Sequence, residues 1–144
     1  MDEIKLQYNT LDVDTYLALR SGVRWKSLSR RQAEHALKHS LYVVSAYQGS
    51  ACVGMGRLVG DGAVICYVQD LIVLPQAQGI GIGSMLLDTL AAYVEELRQE
   101  NTEMMLCLMC AKGREKFYES HGFLARPTEQ LGPGMIRYLN SLDK

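Results

Sequence analysis

The chain has 144 residues, 48% hydrophobic and 22% charged, with a formal net charge of -1; this is the make-up of one soluble domain with a core of its own, expected to span residues 1–144. So balanced a charge excludes a whole-molecule field that would draw nucleic acid or an anionic membrane surface. No apolar run approaches the roughly 18–20 residues of a membrane span, and the opening MDEIKLQYNT lacks the basic and apolar regions of a secretory leader, so a cytoplasmic protein is expected.

In chain order, a strand is predicted near Ile4–Tyr8, then a helix from about Asp12 to Ser21, then a loop carrying Trp25. A second helix is capped by Ser29, with Gln32 completing a capping box, and runs to about Ser40. LYVVSAY (41–47), ACVGMGRLV (51–59) and AVICYVQDLIVL (63–74) are β-rich and separated by QGS and GDG, which predicts an antiparallel meander. Ile82, Leu86, Leu90, Tyr93 or Val94, and Leu97 then recur at helical spacing, opposite a polar face at Asp88, Glu95, Glu96 and Arg98. EMMLCLMC predicts a buried strand at about 103–110, in which Cys107 and Cys110 face opposite sides and act as core residues rather than a metal or redox pair. A helix across KGREKFYES and short strands GFLAR and MIRYLN complete the chain. The strands flanking the long helix should run parallel across their crossover. The fold class is therefore α/β (α+β), a mixed central sheet with an N-terminal antiparallel meander and helices on both faces.

Between the meander and the long helix lies LPQAQGIGIGSMLLDTL (74–90), with glycines at 79, 81 and 83. Missing side chains at a helix entry expose backbone N–H groups, and the helix dipole adds about half a positive charge there, which together make an anion site. A nucleotide-hydrolysing loop needs Gly-Lys-Ser/Thr and a dinucleotide fold needs G-x-G-x-x-G; the lysine is absent, and Ser84 stands where the third glycine should fall. His35 and His39 are spaced for one helix face, but without a third ligand no metal site is expected.

VQDLIVLPQAQGIGIGSMLL resembles motif A of the GCN5-related N-acetyltransferases (GNAT), whose Gln/Arg-x-x-Gly-x-Gly/Ala pattern is met by Gln78, Gly81 and Gly83, and also in a second register by Gln76, Gly79 and Gly81. EKFYESHGF (115–123) is similar to a second signature of that family. The likeness is strong from about Leu41 to Arg126, and the tail GPGMIRYL with VGMGRLVGDG resembles plastid and cyanobacterial arylalkylamine acetyltransferases and, less closely, glucosamine-6-phosphate acetyltransferases. It implies acetyl-CoA as cofactor, its pyrophosphate on the segment Gln78, Gly79, Ile80, Gly81, Ile82, Gly83 and Ser84, and its pantetheine arm along Leu71, Ile72 and Val73. Arg114 and Lys116 would meet the ribose phosphate, although Arg114 stands where many relatives have asparagine.

The same likeness implies direct transfer to an amine, with Tyr118 near the departing sulfur as hydrogen-bond donor or acid. For the amine proton the alternatives are Asp70, Tyr67 through a water, or a backbone carbonyl; Gln69 stands where an acidic residue is common in relatives. Trp25, Tyr16, Tyr67 and Met135 offer surface for a small-molecule amine such as an arylalkylamine. Arg24, Lys26 or Arg137 would instead favour an amino-sugar phosphate, and a peptide acceptor or a non-catalytic acyl-CoA-binding module are further alternatives. A homodimer through the apolar C-terminal strand completes the expectation.

Overall fold

The computed structural model describes residues 3–140, and the chain divides into two compact units, one ending at Leu108 and one starting at Met109. The first unit contains β1 (Ile4–Tyr8), α1 (Val13–Gly22), α2 (Arg30–Lys38), β2 (Tyr42–Gln48), β3 (Ala51–Gly60), β4 (Ile65–Val73), α3 (Ile82–Leu97) and β5 (Met105–Leu108). The second contains α4 (Glu115–Glu119).

The strands form one mixed sheet in the order β1-β2-β3-β4-β5, antiparallel from β1 through β4 and parallel between β4 and β5, as the crossover through α3 requires. Alternation along β3 sorts the faces. Gly54 and Gly56 lie against Ile82, Leu86 and Leu90 of α3, and a methyl group at Gly56 would sit 2.7 Å from Leu90. Met55, pointing the other way, joins Tyr16, Leu19, Ala33, Val43 and Ile72 in the core under α1 and α2. The glycines therefore let α3 approach the sheet closely, and each buried leucine or isoleucine of α3 contributes about 1.5–3 kcal/mol.

Helix starts follow local chemistry. Asp12 caps α1 by accepting from Thr15 N at 2.7 Å, and Ser29 and Gln32 form the expected reciprocal box at the start of α2.

Three expectations are corrected. β5 is a four-residue edge strand whose Leu106, Cys107 and Leu108 are only half-buried, and Cys110 beyond it is exposed, because a sheet edge has one neighbour rather than two. The last helix starts at Glu115, since Gly113 has φ +92°, outside the right-handed helical region, and Arg114 is its N-cap. GFLAR and MIRYLN form no strand: Gly122 takes φ +90°, Leu124, Met135, Ile136, Tyr138 and Leu139 are exposed, and alternation without a ladder partner does not make a strand.

Candidate active site

β4 ends at Val73, and after a single 3₁₀ turn at Pro75–Ala77 the chain enters α3 through Gln78–Gly81. Gln78 Nε2 donates to Val73 O at 2.9 Å and ties the loop back to the strand. Gly79 and Gly81 adopt φ +87° and +93°, and a methyl group on either would meet nothing within 4 Å. Packing does not require glycine there; the left-handed backbone does, and the empty space in front of it is what a ligand would fill. Gly81 caps α3 without a side-chain hydrogen bond. Among the described residues, the N–H groups of Gly81, Ile82 and Gly83 meet no acceptor, so they stand open at the positive end of a sixteen-residue helix. This arrangement fits a phosphate-bearing ligand. Ile80 is exposed, Gly83 and Ser84 are half-buried, and the Ile82 side chain is core, leaving only its N–H for binding.

β5 pairs with β4 only over Ile65–Val68, so beyond the unpaired Gln69 the residues Asp70–Val73 carry a strand partner, β3, on one side alone. That bare stretch runs straight into the glycine loop. Leu71 and Val73 are half-buried and Ile72 is core, so an extended ligand arm would meet main-chain groups there.

A bulge at Gln69, where Arg57 pairs with Asp70 but Leu58 with Val68, rotates the strand and turns Asp70 towards α1. Asp70 is fully buried. Its Oδ2 accepts from Tyr16 Oη at 2.6 Å and Arg57 Nε at 2.8 Å, and its Oδ1 from Arg20 Nη1 at 3.0 Å. Tyr16, expected at the substrate surface, is instead fully buried, and burial with the Asp70 bond pushes its phenol up to about 12. Arg20 and Arg57 belong to no motif in the sequence. Their signal was present: Arg57 interrupts one apolar strand and Asp70 another, and Arg20 lies one helical turn from Tyr16.

Trp25 lies on the α1–α2 loop, 38% exposed, with exposed Arg24 and Lys26 beside it. Tyr67 is half-buried on β4. His35 and His39 stack with ring centres 4.0 Å apart, and among the described residues no three potential metal ligands meet.

In the second unit, Tyr118 on α4 is half-buried between Phe117 and Phe123, at ring distances of 5.0 and 5.9 Å. Burial pushes its phenol up, so it is protonated at neutral pH. Arg114 and Lys116 are exposed, and the Arg114 guanidinium lies 5.2 Å from the Phe117 ring centre. Met135 is 88% exposed. The structure thus joins Leu71–Val73 to the loop in one continuous track, and links Asp70 to the Trp25 loop through Arg20.

Residues 38–124 match the family model described as an acetyltransferase (GNAT) domain. A GNAT family acetyltransferase of Streptococcus pneumoniae is 36% identical with a TM-score of 0.79, covering 98% of this chain and 99% of that one. A probable acetyltransferase of Staphylococcus aureus is 30% identical with a TM-score of 0.82, covering 94% and 100%. An uncharacterized ycf52-like N-acetyltransferase of Prochlorococcus marinus is 29% identical over 84% of this chain and 67% of its own length. These names specify no acceptor. The chain belongs to the GNAT family and is an N-acetyltransferase, of a class that takes its acetyl group from acetyl-CoA.

Proposed function

We propose that the chain transfers acetyl from acetyl-CoA directly to the primary amine of a small molecule, an arylalkylamine or similar base. The observation that carries this reading is the backbone cradle at Gly79–Gly83, open where a diphosphate would sit and continuous with the bare edge of Gln69–Val73. Acetyl-CoA supplies the thioester whose carbon–sulfur bond breaks as the amine nitrogen bonds to the carbonyl carbon. The loop's N–H groups hold the diphosphate, with Arg114 and Lys116 assigned to the ribose phosphate. Tyr118 keeps its proton at neutral pH and donates it as a hydrogen bond to the departing sulfur. Asp70 is assigned away from proton transfer, because two guanidinium groups and a phenol already claim its oxygens; a β4 carbonyl orients the amine by accepting its N–H hydrogen bond, and the proton leaves to solvent through a water at Tyr67.

Trp25 supplies the aromatic surface that favours an arylalkyl group, with Tyr67 and Met135 assigned to the same acceptor. A second reading is favoured by Arg24 and Lys26, which flank Trp25 and have no acidic partner among the described residues: an acceptor bearing phosphate or carboxylate, such as an amino-sugar phosphate. Exposed Met135, Ile136, Tyr138 and Leu139 support a homodimer through this segment. Thiol release from acetyl-CoA, measured across arylalkylamines, amino-sugar phosphates, amino acids, polyamines and peptides, tests the acceptor. The fastest turnover is expected with arylalkylamines; turnover confined to phosphorylated amino sugars selects the second reading, and none with any amine overturns both.

A further inference from the structure

The buried cluster of Tyr16, Arg20, Arg57 and Asp70 takes no part in the transfer described above. Arg57 is braced at its far end by Ser40 Oγ, 3.2 Å from Nη1. Arg20 reaches in another direction, to the turn that follows α1, and grips it three times. Its carbonyl accepts from Trp25 N at 3.0 Å, its Nη2 donates to Lys26 O at 2.9 Å, and its guanidinium carbon lies 5.4 Å from the Trp25 ring centre, within cation–π range. Between these contacts Arg24 is held at φ +60°, a left-handed conformation a free arginine rarely takes. The guanidinium itself is fixed on Asp70 and is only 12% exposed. A planar fork can meet a carboxylate with one nitrogen, a carbonyl with another and a ring with its face; a lysine ammonium cannot do all three.

We propose that Arg20 is a positioning residue for the amine acceptor: braced on Asp70, it sets the Val23–Leu28 turn and the face of Trp25 against which the acceptor docks. This rests on the assignment of Trp25 to the acceptor. It makes Asp70, through Arg20, a determinant of acceptor affinity rather than of proton transfer.

Trp25 is the only tryptophan, so its fluorescence reports on the turn without any ligand. Arg20→Lys is expected to increase acrylamide quenching of Trp25 about twofold and to raise KM about tenfold for whichever panel amine the wild type acetylates fastest, with KM for acetyl-CoA unchanged. Trp25→Leu should raise the amine KM to a similar degree and Trp25→Phe should not, and Arg20→Lys added to Trp25→Leu should add nothing further. Unchanged quenching in Arg20→Lys, or a parallel rise in KM for acetyl-CoA, overturns the proposal. If Arg20→Lys does not fold, the two Trp25 variants decide: an amine KM left unchanged by Trp25→Leu also overturns it. A wild type that acetylates no amine overturns the proposed function instead, and quenching in Arg20→Lys then judges the bracing of the turn by itself.

Discussion

Among the described residues, every fully buried apolar side chain lies between Tyr16 and Val94, whereas from Met109 to Asn140 none is buried. The first unit has a sheet with helices on both faces and a buried ionic cluster; the described residues of the second have one five-residue helix and an aromatic group of Phe117, Tyr118 and Phe123. The proposed cradle for the cofactor therefore stands on a scaffold with its own core, while the proposed hydrogen-bond donor, Tyr118, stands on a segment in which no described residue is fully buried. Substitutions should separate accordingly, those in the first unit acting mainly on stability and binding, those in the second mainly on rate.

Asp70→Asn is expected to have the largest effect, a loss of about 3–5 kcal/mol in urea unfolding, because it leaves two buried guanidinium groups short of a counter-charge. A loss below 1 kcal/mol, about what a solvent-exposed pair is worth, would mean that the cluster does not behave as buried. Tyr118→Phe should lower kcat by roughly 10²-fold with little change in melting temperature. Since burial raises its pKa, no alkaline fall in rate from this group is expected below about pH 10; an unaltered kcat would remove the tyrosine from the chemistry.

Gly81→Ala forces a left-handed backbone on a residue with a side chain, at about 1–2 kcal/mol, and also places a methyl group in the open cradle. Acetyl-CoA affinity, measured calorimetrically, should fall by more than the stability change implies, and equal losses would argue against the cradle. Asp12→Ala should cost about 1 kcal/mol as a lost cap. The Thr15 backbone bond holds the Asp12 carboxyl below its usual 3.8, so its contribution is complete above that value and is lost as pH falls through the folded value. The gap in melting temperature between wild type and Asp12→Ala should narrow as the pH falls below 3.8; a gap unchanged by acid would assign the effect elsewhere.

Local patterns carried most of the first unit. The Ser29–Gln32 box, the turns at QGS and GDG, and the 3–4 spacing from Ile82 to Val94 each depend on residues close in sequence, and each has its expected counterpart in the fold. The glycine loop was legible for the same reason, since three glycines before an amphipathic helix need no distant partner to be informative. Legibility ended where partners are far apart. Asp70 looked available because its contacts come from Tyr16, Arg20 and Arg57, up to 54 positions away. MIRYLN has the alternation of a strand, but alternation describes which face a strand would bury, not whether a neighbour offers a ladder. Cys110 belonged by composition to an apolar run and by position lies beyond the sheet edge, which the run could not reveal.

The stretch from Gln69 to Val73 lacks a second strand beyond it, and apart from Val73 O, which Gln78 Nε2 ties up, such an edge is the template on which foreign peptides add to a sheet. Occupation of this edge by a cofactor arm would hide the adhesive margin, so saturation at about a hundred times Kd would both stabilise the fold by about 2.7 kcal/mol and suppress self-association. Keeping coenzyme A present through purification and storage would then act as a chaperone supplied by the protein's own reaction.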